Sequence, residues 1–131
     1  MICIDNVPPS IFLIDFGLAR LFCNPATYLH WLYVKDHPII NTLLFMSING
    51  QQGYTQSRHD DLESLAYTII HLAHRDLPWA TVSASKDIHQ KKKSITAEEL
   101  CKGLPAPFCK FVDYVHSLGF DEKPDVMLLE V

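Results

Sequence analysis

The sequence is short of several features that would assign a chain to a familiar class. It holds no apolar run of about 18 residues, so no membrane-spanning helix is predicted. Its opening residues, MICIDNVPPS, lack the basic stretch and apolar core of a secretory signal. Positive charge is also scarce. A net charge of −4 predicts no general attraction for nucleic acid.

Cysteine is present, but not in a pattern that predicts a site. The sequence holds four, none of them in a CxxC pair: Cys3, Cys23, Cys101 and Cys109. Free thiols in a reducing compartment are favoured over disulfides or zinc, so the cytoplasm or nucleus is the expected location. Apolar residues, by contrast, are abundant. A hydrophobic content of 48% in 131 residues predicts one globular domain.

Helical patterns dominate the second half of the chain. The stretch from Arg58 to His74 is predicted as a helix that opens on Asp60 and Asp61, whose carboxylates favour helix N-termini. It is apolar on most faces, which predicts a central position in the fold. Four further helical stretches are predicted: 83–91, 96–103, 105–119 and one that begins at Pro124.

The remaining segments are predicted from shorter patterns. The apolar run Ile11–Ile14, which follows Pro8-Pro9, predicts a strand, and 21–46 predicts a long ordered loop. The basic run 91–93 is expected to be a solvated surface turn, with a phosphate-binding or localisation role as the alternative. His71 and His74 are expected to be structural, because no third and fourth metal ligands are evident.

One triplet points to a specific chemistry. Asp15, Phe16 and Gly17 lie within the run LIDFGLAR. In a protein kinase the Asp of this triplet binds the magnesium that bridges the ATP phosphates, and the packing of the Phe sets the active or inactive posture. Three residues recur by chance, but the apolar run before them is the setting that the motif requires.

Longer motifs follow in a fixed order. They are SIN at 47–49, QSRHDDLESL at 56–65, LPW at 77–79, LCKGLP at 100–105 and FDEKPD at 120–125. In this order and spacing they resemble the casein kinase I family of serine/threonine protein kinases, and the resemblance covers nearly the whole chain from Ile11 onward. It implies a mainly α fold. The expected architecture is a kinase-like C-lobe with a short strand or hairpin region near the N-terminus and no N-lobe, so residues 1–131 form one partial kinase domain.

The resemblance implies roles for single residues. Asp15 falls on the magnesium-binding Asp, and Ser47 and Asn49 fall on the segment that closes the peptide-binding groove. Asp61 falls on the Asp that holds the catalytic-loop backbone in kinases, with plain helix N-capping as a compatible alternative. Trp79 falls after the central helix, where its large apolar area is expected to be buried.

Other parts of a kinase are missing from the sequence. It has no GxGxxG, no VAIK-like lysine and no His-Arg-Asp, and only fourteen residues precede Asp15. Asp5-Asn6 faintly resembles the end of a catalytic loop, although an ordinary turn is favoured. A single carboxylate holds magnesium weakly without phosphate co-ligands. We therefore expect no catalytic residue, and no binding by this chain alone of the ATP and Mg²⁺ that the family uses.

Three functions compete at this point. The first is a fragment of a kinase whose family reaction transfers the γ-phosphate of ATP to protein Ser or Thr. The second is a pseudokinase-type module that binds proteins, and the third, disfavoured by the ordered motifs, is an unrelated helical interaction domain. Leu44 stands where the family has an Arg, so phosphate-primed recognition is not expected. An uncovered central helix predicts an exposed apolar patch, and hence a protein partner or the missing kinase half.

Overall fold

A computed structural model describes residues 11–35, 37–39 and 42–128. The expectations for Cys3, Asp5-Asn6 and Pro8-Pro9 lie outside these residues. Within them the fold is helical, with five α-helices and a closing 3-10 turn: α1 (Ile48–Gln51), α2 (Arg58–His74), α3 (Ser85–Ser94), α4 (Ala97–Leu100), α5 (Ala106–Ser117) and Val126–Leu128. No helix of the described residues is long and apolar enough to cross a membrane.

The central helix α2 has the bounds that the sequence predicts. Ser57 caps it in a capping box, in which its hydroxyl accepts from the His59 N–H and the Asp60 carboxylate accepts from the Ser57 N–H. The helix ends at Arg75, which adopts a left-handed conformation with φ of 63°. Of the two acidic residues at the start, Asp60 therefore makes the capping contact. Asp61 is left for another role.

The core forms where α2 meets α5 and the segment after α2. Tyr67 and Ile70 of α2 lie against Val112 of α5, and Trp79 is fully buried, as its size predicts. The rings of Tyr67 and Trp79 meet edge to face with centroids 4.9 Å apart. This core therefore holds α2 from one side.

The opposite side of α2 is uncovered. Asp61, Leu65 and Leu72 share one helical stripe and are exposed, with Leu72 at 74%. The predicted exposed apolar patch is thus present on α2. In the segment 11–34 most of the large apolar side chains are also exposed.

The predicted strand Ile11–Ile14 is wrong. These residues form no strand and are 71–101% exposed, because a strand requires a neighbour for its backbone hydrogen bonds and none lies beside it among the described residues. The hairpin region is reduced to an isolated bridge between Cys23 and His30 around the turn at Asn24, and a second bridge joins Lys35 to Tyr54. The other described residues within 21–46 are irregular, as expected.

The basic run is also placed differently from the prediction. Residues 91–93 form the last turn of α3 instead of a surface turn. Lys91 and Lys93 are exposed, but Lys92 is only 1% exposed. The reason is register: Lys92 follows the buried Ile88 by four residues and shares its face of the helix.

Candidate functional site

The Asp-Phe-Gly triplet forms an exposed turn. Asp15 adopts a left-handed conformation with φ of 64°, and one of its carboxylate oxygens accepts the Gly17 N–H at 3.3 Å. The Ala19 N–H donates to the Phe16 carbonyl at 3.0 Å and closes the turn, while the Phe16 side chain stays 65% exposed. A non-glycine residue with positive φ carries backbone strain, which is more frequent at functional sites than elsewhere.

Magnesium does not fit this turn by itself. Mg²⁺ requires near-octahedral oxygen coordination and is usually held by carboxylates together with substrate phosphates. In the part of the chain that the structure describes, the one cluster of three or more possible metal ligands is elsewhere, at His59, Asp60 and Glu63. Asp15 belongs to no such cluster among the described residues.

The His59 cluster is already engaged in internal contacts. The Asp60 carboxylate accepts the Ser47 hydroxyl at 2.7 Å, and the Glu63 carboxylate accepts the Ile48 N–H at 3.0 Å. The His59 ring nitrogens lie 3.8 Å from Asp60 and 3.9 Å from Glu63. These side chains fasten the segment before α1 to the start of α2, so they act first as structural anchors. The predicted pair of His71 and His74 is not part of this cluster.

A groove of about 720 Å³ runs between residues 18–22, which follow the Asp-Phe-Gly triplet, and the start of α2. We call it the α2 groove, and its walls combine apolar side chains with three charged ones: Leu18, Phe22, Trp31, Val34, Arg20, Arg58 and Asp61. The Arg58 guanidinium lies 4.3 Å from the centre of the Phe22 ring and donates to the Asp121 carbonyl at 3.0 Å. Arg58 thus connects the segment that follows the triplet, through Phe22, with the segment after α5, through Asp121.

Asp61 is the acidic group in this groove. Partial loss of water and the neighbouring charge of Asp60 raise the pKa of its carboxyl group above the usual value. Among the described residues no side chain or backbone N–H donates a hydrogen bond to it. Asp61 is exposed, so its carboxylate is open to water and to any donor that enters the groove.

The predicted groove residues Ser47 and Asn49 lie together at α1. Ser47 caps this helix and is 1% exposed, so its hydroxyl serves the fold. Asn49 is half-buried, and its side-chain oxygen accepts the Tyr33 hydroxyl at 3.0 Å. The Tyr33 ring stacks on Tyr54 with centroids 4.6 Å apart, and burial together with this neighbour raises the Tyr33 pKa. The two residues therefore set the shape of the loop instead of projecting from it.

Sequence reasoning missed a buried polar group beneath this loop. Glu63, Tyr67 and Lys92 are each at most 1% exposed, and the Tyr67 hydroxyl donates to Glu63 at 2.7 Å. Burial and the Glu63 charge raise the Tyr67 pKa. The i, i+4 spacing of Glu63 and Tyr67, and of Ile88 and Lys92, could have indicated shared faces. The contacts between the two helices could not be read from the sequence.

A helical core built around α2, with an Asp-Phe-Gly turn and a groove that holds Asp61 beside it, defines the class: the architecture is that of the C-lobe of a protein kinase. Comparison with known proteins gives the family. No protein-family profile matches the chain. Casein kinase I homolog 2 of Schizosaccharomyces pombe (strain 972) is 38% identical over 126 residues, which cover 92% of this chain. The chain belongs to the casein kinase I family, and it spans 29% of the length of that relative.

Proposed function

We propose that this chain is a casein kinase I-type C-lobe that does not transfer phosphate by itself and that binds a protein segment in the α2 groove. The family reaction, transfer of the ATP γ-phosphate to protein Ser or Thr, requires a Gly-rich lid, a strand lysine and a catalytic Asp. The 131 residues contain none of the motifs that carry these groups. Asp15, Phe16 and Gly17 are in this proposal the remaining part of the nucleotide site, and they need phosphates and further ligands to hold Mg²⁺.

The observation that carries the proposal is the acidic carboxylate in an open, mostly apolar groove. Asp61 faces this groove without an N–H donor from the described residues, and Leu18, Phe22 and Trp31 supply apolar walls around it. Such a surface suits an extended segment that presents backbone N–H groups and apolar side chains. The family resemblance implies the same contact, because the equivalent Asp holds the catalytic-loop backbone.

The occupant of the groove that we favour is the part of a kinase that carries the Gly-rich lid, the strand lysine and the catalytic Asp, supplied from outside these 131 residues. A pseudokinase-type interaction module is the second candidate, and the exposed stripe of α2 favours it equally, because any apolar partner would cover Leu65 and Leu72. Ser47 and Asn49 shape the loop that borders a protein-substrate groove in either case. We place the function in the cytoplasm or nucleus, without nucleic acid or a membrane, on the basis of the net negative charge and the free thiols of Cys23, Cys101 and Cys109.

A binding measurement tests this proposal. The probe is the segment of the S. pombe relative that precedes the residues matched by this chain, produced as a separate polypeptide. We expect it to bind, and Asp61→Asn to weaken binding by about tenfold or more through loss of a charged acceptor. The matched control is Asp87→Asn, at an exposed position on α3. Absence of binding, or equal weakening by both substitutions, would contradict the proposal.

A further inference from the structure

Lys92 is a charged side chain in the centre of the fold. It is 1% exposed, although it belongs to a run of three lysines whose other members are exposed. A lysine is almost never fully buried unless partners satisfy its ammonium, because transfer of an unpaired charge out of water is costly. The partners of Lys92 therefore indicate what it does.

The Lys92 ammonium occupies a cage of carbonyl oxygens and aromatic faces. Its Nζ donates to the Leu43 carbonyl at 2.6 Å and to the Met46 carbonyl at 2.7 Å. The same nitrogen lies 5.2 Å from the centre of the Tyr67 ring and 5.3 Å from that of Trp79. Both rings are within the range of cation–π attraction, so carbonyl oxygens and ring faces together satisfy the buried ammonium.

The two carbonyls belong to the loop that leads into Ser47. The Leu44 carbonyl of the same loop accepts the Trp79 indole N–H at 2.8 Å, so three of its carbonyls are held by side chains from outside the loop. Within residues 43–46, Phe45 and Met46 donate their N–H groups only to the Thr42 carbonyl, at 3.2 and 3.3 Å. The loop therefore owes its shape mainly to these external donors.

We propose that Lys92 is a positioning residue that fixes the loop of residues 42–47, and with it Ser47 and Asn49, by inserting its ammonium into the carbonyl and aromatic cage. One cation joins α3, α2 and the loop before α1, so a change at Lys92 alters the loop without touching a bound segment. Only one part of this inference rests on the proposed function, namely that the loop borders a bound protein segment. The positioning of the loop by Lys92 is independent of that function.

The ionisable groups around Lys92 are consistent with this assignment. Glu63 and Tyr67 face it from α2, and His89 and Lys93 lie near it on its own helix. Burial lowers the pKa of the ammonium to about 8, against the opposing effect of the Glu63 charge. The group is therefore protonated at neutral pH and donates three hydrogens, of which two go to loop carbonyls.

Hydrogen exchange of backbone amides tests the proposal on the chain itself, without any ligand. The informative amides are those of Phe45, Met46 and Ile48, and the reference amides are those of Val112 and Val115 in α5. We expect Lys92→Met to accelerate exchange at the loop amides by about tenfold or more relative to the reference amides. The matched control Lys93→Met, at an exposed position, is expected to leave both sets unchanged.

A second variant separates cation positioning from simple loss of packing. Lys92→Ala opens a space that methylammonium can enter. At neutral pH this cation is expected to restore slow exchange at the loop amides, whereas methanol at the same concentration and ionic strength is not. If Lys92→Met fails to fold, the same comparison on Lys92→Ala decides. Equal rescue by both compounds, no rescue by methylammonium, or loop exchange unchanged in a folded Lys92→Met protein would overturn the proposal.

Discussion

At the scale of single residues, the charges that matter for stability lie inside the fold. Lys92 is enclosed by carbonyls and aromatic rings, and Tyr67 donates to the buried Glu63 carboxylate. Each of these groups was taken from water on folding and is stabilised by a specific partner. Truncation of one partner therefore leaves the other unsatisfied, and two predictions follow from that asymmetry.

The first residue-scale prediction concerns alkaline pH. The Lys92 pKa is lowered from 10.5 to about 8 in the folded chain, so between these values the unfolded chain holds a proton that the folded chain has lost. The free energy of unfolding then rises with pH across pH 8–10.5, with a slope that approaches one proton. Lys92→Met is expected to lack this contribution. Chemical denaturation of both proteins at several pH values measures the difference, and Lys93→Met serves as control.

Four other groups titrate in the same region and must be subtracted. Burial raises the pKa of the Cys101 thiol to about 11 and also raises the pKa values of Cys109, Tyr33 and Tyr67, so all four reduce stability as the pH increases. They are common to the unsubstituted protein and Lys92→Met. A difference between the two proteins that is flat from pH 8 to 10.5 would contradict the assignment.

The second residue-scale prediction concerns the Tyr67 hydroxyl. Tyr67→Phe removes the 2.7 Å hydrogen bond to Glu63 and leaves one acceptor of a buried carboxylate less satisfied. We expect the free energy of unfolding to fall by about 1–3 kcal/mol. Tyr28→Phe, at a position 82% exposed, is expected to change it by less than about 0.5 kcal/mol. Urea denaturation near neutral pH gives both values. Equal effects of the two substitutions would argue against the buried network.

At the scale of elements, α2 is the segment whose sequence signals agree with one another. Ser57 and Asp60 form its capping box, and its buried positions Ala66, Tyr67 and Ile70 recur at helical spacing. The same helix carries Asp61 in the groove and Glu63 beneath the loop. The stability of its first turn is therefore linked to the shape of both.

The element-scale prediction is the loss of this cap. Ser57→Ala removes the hydroxyl that accepts from the His59 N–H, so the first turn of α2 loses one of its two capping contacts. We expect a destabilisation of about 1 kcal/mol, which is typical of N-cap substitutions. Ser64→Ala is a matched control within the same helix, since the Ser64 hydroxyl makes no hydrogen bond to the described residues. Thermal and urea denaturation provide the measurement, and an effect no larger than that of the control would contradict the capping role.

Other elements show why the sequence prediction was incomplete. The bounds of α2 could be predicted because its caps and periodicity are local. The strand at Ile11–Ile14 could not be judged from local sequence, because a strand forms only beside a neighbouring strand. The described residues provide no such neighbour. The four-residue helix α1 was missed for a similar reason. Its anchors, Asp60 and Glu63, lie on another helix.

The candidate site was predictable to a similar extent. Asp15, Asp61 and Trp79 were singled out because they belong to motifs of a known family, and their proposed roles stay predictions. Lys92 was misread because a run of like charges normally marks a solvated surface. Only the register of α3, set by the buried Ile88, turns one of the three lysines inward. This orientation depends on how α3 packs against the rest of the fold, which the sequence of α3 alone does not reveal.

At the scale of the whole molecule, the chain has one well-covered side and one open side. The core around Tyr67, Trp79 and Val112 is closed, while the α2 groove and the segment 11–34 expose apolar surface. Burial of apolar surface contributes about 25 cal/mol per Å², so a partner that covers this side would stabilise the fold substantially.

The most direct test of the central claim, that this chain does not phosphorylate protein by itself, is transfer of radioactive phosphate from ATP to casein by the purified chain with Mg²⁺. Asp15→Asn is the control, because it removes the one carboxylate assigned to magnesium. We expect no labelling by the unsubstituted chain above that of Asp15→Asn. Labelling that depends on the purified chain and disappears with Asp15→Asn would contradict the claim.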